Sequence, residues 1–126
     1  MVSPVRVLLV EDSDVYRESL VFLLERDARL DVVGAVADGA SAVRACAERE
    51  PDVVVIDYRL PDMNGFEVAT AIRSVRHTTA IVFLSASAGQ AEYDAAQRSG
   101  AALVRKDDGV GAVADAIANA AERTNT

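Results

Sequence analysis

The chain is 126 residues long, enough for one domain with one core, and 51% of it is apolar without a tryptophan, so aliphatic side chains must carry the packing. Twenty acidic residues against thirteen basic ones give a net charge of −7, which speaks against direct contact with nucleic acid, where clustered cations must neutralise phosphates. A single cysteine excludes an internal disulfide, and the N-terminal apolar run of about six residues is too short for a signal sequence or a membrane span, so a cytoplasmic protein is expected.

Apolar runs alternate with segments of helical period along the whole chain, the pattern of parallel strands joined by crossover helices. Strand one is expected over 5–10 (VRVLLV) and stops at Glu11-Asp12. Helix one follows a cap at Ser13 or Asp14 and turns Tyr16, Leu20, Leu23 and Leu24 inward, with Arg17, Glu18 and Glu25 on its far face. Strand two spans 31–36. Helix two follows Gly39 with Ala40, Val43 and Ala47 inward, and Pro51 ends the link to the next strand; Cys46 reads as a small buried hydrophobe.

Strand three, 53–56 (VVVI), stops at Asp57, and helix three starts after Asn64-Gly65 and buries Val68, Ala69 and Ile72. His77, the only histidine, reads as a loop residue before strand four, 80–84, which stops at Ser85. Helix four, 90–98, offers mostly alanines and is expected to be the loosest element. Strand five, 102–105, stops at Lys106. Helix five, 109–122, is expected to be capped by Asp107 or Asp108 with Val110, Val113 and Ile117 against the sheet, and the final TNT to fray. The pattern predicts one α/β domain over 1–126, its core over 5–121: a five-stranded parallel sheet in the order 2-1-3-4-5, doubly wound and flavodoxin-like, with helices on both faces.

In such a sheet the strand ends converge on one crevice, and strands one and three are neighbours. Glu11, Asp12 and Asp57 would then be adjacent, with Asp62 close by, and several carboxylates in one crevice need a cation to remain ionised together. An all-oxygen acidic set suits a hard ion such as Mg2+; no His or Cys stands near for zinc. Lys106 is the only lysine, all other basic residues being arginine, and its compact charge suits a phosphate or carboxylate. Ser85 adds a hydroxyl donor.

These residues, in this order and spacing, resemble the receiver domain of two-component response regulators, from about Val5 to Ala121. PDVVVIDYRLPDMNGFE is similar to the family's phosphoacceptor segment. The resemblance implies that Asp57 accepts the phosphoryl group, that Glu11, Asp12 and Asp57 hold Mg2+ (or Mn2+) with the backbone carbonyl of Arg59, and that Ser85 and Lys106 turn phosphorylation into a conformational change. It further implies a sensor histidine kinase as partner, transcription regulation through a linked helix-turn-helix DNA-binding output domain, and a homodimer on phosphorylation. Two departures stand out: Leu103 replaces the aromatic residue that commonly precedes the lysine by three positions, and the stretch from Gly100 to Lys106 is one residue shorter than usual. Lys106 is expected to reach the crevice despite the deletion.

Other readings fit less well. A phosphatase using a strand-end Asp nucleophile needs a second Asp two residues on, where this chain has Arg59, so the chain reads as a signalling receiver and not as an enzyme. A flavin binder needs a Ser/Thr/Gly-rich phosphate loop after strand one, where EDSDVYR is acidic. A receiver signalling by protein contact without phosphorylation would be free to lose acceptor-site residues, and all are present.

Overall fold

The computed structural model describes residues 3–87 and 89–124. Eleven elements follow one another: β1 Val5–Val10, α1 Asp14–Leu24, β2 Leu30–Val36, α2 Gly39–Arg49, β3 Val53–Asp57, α3 Gly65–Val75, β4 Ala80–Ser85, α4 Gln90–Arg98, β5 Ala102–Arg105, a 3-10 turn Lys106–Asp108, and α5 Val110–Thr124. The five strands pair in parallel in the order β2-β1-β3-β4-β5, the order read from the sequence.

Side chains alternate across the sheet, so each strand feeds two cores. Val7, Leu9, Val53, Val55, Val82 and Leu84 face α1 and α5, where Leu20, Leu24, Val113 and Ile117 close the layer. Leu8, Val10, Val54, Ile56, Ile81 and Phe83 face the other way, against Ala42, Cys46, Val68 and Ile72 of α2 and α3. β3 is buried along its whole length, as a strand covered on both faces must be. α4 gives only Ala96 to the core.

Three helices differ from the expected phase or capping. In α1 the buried arc centres on Leu20 and Leu24, with Val21 and Arg17 half-buried beside it, so Leu23 is 43% exposed and Arg17 does not lie on the far face. In α2 the inward residues are Ala42, Ala45 and Cys46; Ala40 and Ala47 are exposed and Val43 is half-buried. A helix so rich in alanine carries two apolar stripes of equal strength, and periodicity does not choose between them. Neither Asp107 nor Asp108 caps α5: both lie in the 3-10 turn, where Asp108 accepts the Arg105 backbone N–H at 3.2 Å, and Gly109 turns the chain into α5 at φ +92°. Of the TNT tail, Asn125 and Thr126 lie outside the described residues.

β3 and β4 each run one residue further than expected, and this matters for the site. Asp57 is itself a ladder residue paired with Leu84, and Ser85 is paired with Arg105. The sheet, not a loop, fixes both. α3 then starts on a capping box in which Asn64 Oδ1 accepts the Glu67 N–H at 2.9 Å and Glu67 Oε1 accepts the Asn64 N–H at 3.3 Å. At Gly65 a Cβ would stand 3.1 Å from the Tyr58 Cα and 3.2 Å from the Phe83 ring. Backbone on one side and a fully buried ring on the other cannot both yield, so Gly65→Ala is expected to destabilise the fold by about 1–3 kcal/mol. An unchanged urea midpoint would contradict that packing.

Candidate functional site

β1 and β3 leave the sheet side by side toward opposite faces, one to α1 and the other to α3, and a crevice opens between their ends. Glu11, the residue after β1, is 1% exposed; Asp57 is 7% exposed; Asp12 lies on the surface. Carboxylate oxygens from the three lie within 4.8 Å of one another.

Lys106 crosses this crevice although its strand is only four residues long. Its Nζ donates to Glu11 Oε1 at 2.5 Å and to Asp57 Oδ2 at 3.1 Å. The other Asp57 oxygen, Oδ1, accepts the Arg59 backbone N–H at 3.0 Å. Ser85 ends the neighbouring strand, 7% exposed and one residue beyond the ladder partner of Asp57. Glu11, Asp12, Asp57, Ser85 and Lys106 therefore gather at the carboxyl ends of the strands.

One ammonium facing two buried carboxylates leaves a deficit, and it falls on Glu11. Its Oε2 is buried with no hydrogen-bond partner. Burial foremost, and Asp57 beside it, push its pKa up to about 7, with Lys106 pulling the other way. Burial also works against the Lys106 charge, but Glu11 and Asp57 outweigh it and raise the lysine pKa. An orphaned carboxylate oxygen among further carboxylates is the donor set that a hard divalent cation takes. Glu11, Asp12 and Asp57 could thus hold a metal ion.

Asp62 does not join this cluster. Its carboxylate accepts the backbone N–H groups of Gly39 at 2.9 Å and Ala40 at 3.1 Å, which, Gly39 first, lower its pKa against some desolvation. Asp38 accepts the Ser41 N–H at 2.7 Å, so two carboxylates satisfy three of the four amides left open at the start of α2. Asp62 thereby braces the loop after Asp57 against α2. Edge-to-face rings support the same loop from below: Tyr58 lies 5.4 Å from Phe66 and 6.2 Å from Phe83, and Phe66 lies 4.9 Å from Phe83.

Two residues of α1 also belong to the site's surroundings. Arg17 donates to the Glu11 backbone carbonyl at 2.7 Å and to Asp14 Oδ1 at 2.5 Å, tying the first turn of α1 to the end of β1. Tyr16 places its ring 4.5 Å from Lys106 Nζ. Neither contact has a signal in the sequence beyond an aromatic residue at the inward edge of a helix.

A doubly wound parallel sheet whose switch-point crevice is acidic and spanned by a lysine that follows the last strand defines a narrow class of α/β domain. The chain belongs to the family described as "Response regulator receiver domain", whose profile matches residues 7–110. The Mycobacterium tuberculosis protein named "Probable transcriptional regulatory protein NarL" is 38% identical over 104 residues, which are 82% of this chain and 48% of that protein. A protein-glutamate methylesterase/protein-glutamine glutaminase of Nitrosospira multiformis is 35% identical over 111 residues, 85% of this chain and 31% of that protein. The solved receiver domain of the Mycobacterium tuberculosis NarL superposes with a TM-score of 0.87 at 33% identity, covering 96% of this chain and 98% of that one. The chain spans about half, or less, of the length of these curated relatives. Among the described residues no helix is long and apolar enough to cross a membrane.

Proposed function

We propose that this domain is a phosphorylation-dependent signalling receiver in which Asp57 accepts a phosphoryl group from a phosphohistidine on a partner sensor kinase. The observation that carries the reading is the Asp57 carboxylate itself: fixed in the sheet ladder, oriented by the Arg59 N–H, and bonded to the only lysine. An Asp57 oxygen attacks phosphorus, the P–N bond to the imidazole breaks, and an acyl phosphate remains on Asp57. Lys106 offsets charge on the phosphoryl oxygens, and Ser85, at the end of the adjacent strand, donates its hydroxyl to one of them and draws its loop toward the crevice.

Glu11, Asp12, Asp57 and the Arg59 backbone carbonyl would hold Mg2+ or Mn2+. Bound there, such an ion neutralises phosphoryl oxygens as the new bond forms. The orphaned Glu11 oxygen supports this assignment. Mg2+ at ten times its dissociation constant is expected to stabilise the fold by about 1.4 kcal/mol, read as a rise in melting temperature. Its affinity should fall as pH drops through about 7, because a proton on Glu11 competes for the same oxygens. A melting temperature indifferent to millimolar Mg2+ at pH 8 would remove the metal from the scheme.

The relatives also support a wider setting. NarL carries the name of a transcriptional regulatory protein, which supports a linked DNA-binding output domain and transcription regulation. We place the protein in the cytoplasm, where a kinase and a nucleoid-bound output meet, with pairing of two phosphorylated copies as the form that signals. The domain performs only its own phosphoryl transfer and hydrolysis. Incubation with acetyl phosphate and Mg2+, followed by intact-mass measurement, tests the central step: one added phosphate, removed by hydroxylamine as an acyl phosphate must be, is expected. No mass gain would sink the reading.

A further inference from the structure

Lys106 brings its charge into the crevice on a long flexible stem from the end of a four-residue strand. An ammonium has three N–H donors. Two point at Glu11 and Asp57, at 2.5 and 3.1 Å. A further side is closed by the face of Tyr16, whose ring centroid lies 4.5 Å from Nζ, inside the ~6 Å range over which an aromatic face attracts a cation.

The ring is well anchored. Tyr16 is half-buried and packs against the core layer of α1 and α5. Its backbone N–H is capped by Ser13 Oγ at 3.3 Å, and the next residue, Arg17, is bonded to the Glu11 carbonyl. The first turn of α1 is therefore tied to the same strand end that supplies Glu11. The ring comes from α1, the carboxylates from the residue after β1 and the last residue of β3, and the lysine from the turn after β5, on the longest and most flexible stem of the group.

We propose that Tyr16 is a positioning residue for Lys106: its ring face holds the ammonium between Glu11 and Asp57, so that an incoming phosphoryl group meets a charge already in place. This rests on the reading of Asp57 and Lys106 given above. Preorganised charge accelerates a transfer because nothing has to reorient when charge develops, and a lysine free to wander into solvent loses that advantage. The face of the ring carries the role and the hydroxyl does not, so phenylalanine should serve equally well.

Two substitutions separate the ring from its bulk. Tyr16→Leu keeps apolar volume against the core and removes the ring; Tyr16→Phe keeps the ring. In the 126-residue chain, phosphate uptake from acetyl phosphate with Mg2+ is expected to slow about fivefold in Tyr16→Leu and to return to the wild-type rate in Tyr16→Phe. A second readout needs no phosphorylation. In NMR spectra of the unmodified protein, the Lys106 ε-methylene protons should be shifted by the ring current, keep that shift in Tyr16→Phe and lose it in Tyr16→Leu. Stepwise fluorination of a phenylalanine at position 16 withdraws charge from the ring face with little change of shape. It should slow uptake progressively, which decides the matter even where Tyr16→Leu folds poorly. Equal rates across the series, a Tyr16→Phe protein as slow as Tyr16→Leu, or Lys106 resonances indifferent to the ring would each overturn the proposal. Should the wild type take up no phosphate, the reading of Asp57 fails, while the Lys106 resonances still decide where Tyr16 holds the ammonium.

Discussion

Asp57→Ala is expected to yield a folded domain that takes up no phosphate from acetyl phosphate and Mg2+. The loss should be complete, because no other carboxylate combines the required properties. Glu11 is more deeply buried than Asp57 and already engaged by Lys106 through one oxygen, so it is the less accessible nucleophile. Asp12 is exposed, and among the described residues no backbone N–H orients it as that of Arg59 orients Asp57. The fold should survive, since removing Asp57 relieves Glu11 of a neighbouring charge that helps raise its pKa. Intact mass or a Phos-tag gel reads the outcome, and labelling of the variant at the wild-type level would move the acceptor elsewhere.

Lys106→Ala should cost stability, and the cost should depend on pH. Removing one member of a buried charge cluster leaves the others without compensation, worth about 3–5 kcal/mol where burial is complete. The lysine side chain is 21% exposed and water can partly replace it, so about 1–3 kcal/mol is expected near pH 8. Glu11 in the folded state holds its proton up to about pH 7, whereas in the unfolded chain it releases it near 4.5. The folded state therefore binds more protons between those values, and this group favours folding increasingly as pH falls through that window. A protonated Glu11 has less need of a cation, so the gap between variant and wild type should narrow toward pH 5. Urea titrations at the two pH values measure it, and a constant gap would contradict the charge account. Phosphate uptake should slow but persist, with Ser85 resonances failing to shift.

Much of the site was legible because strand ends are legible. A run such as VVVI followed by an acid can be read without knowing how helices pack, and the strand order then brings Glu11, Asp12, Asp57, Ser85 and Lys106 together. Lys106 reaches the crevice from the first position after the four-residue β5, where its Nζ bonds both Glu11 and Asp57. What escaped the sequence depends on distances between elements. The phase of α2 is undetermined by alanines alone, and in the fold Gly39 lies so close to Met63 that an added Cβ would stand 2.6 Å from its Cγ. Asp62 looked like one more acid beside Asp57, and its pairing with amides 22 and 23 residues away has no local signature. Arg17 looked like a solvated charge until the strand-end carbonyl of Glu11 came within its reach.

The orphaned oxygen of Glu11 has a consequence for how this domain tolerates change. As a fold alone, the protein would be sounder with an amide or an aliphatic residue in that place, since desolvating a carboxylate is among the costlier things a core can do. Selection for thermal robustness and selection for signalling therefore pull in opposite directions at this position. A lineage or a directed-evolution campaign that rewarded heat resistance alone would be drawn to erase the crevice first, leaving a sturdier domain with nothing to say.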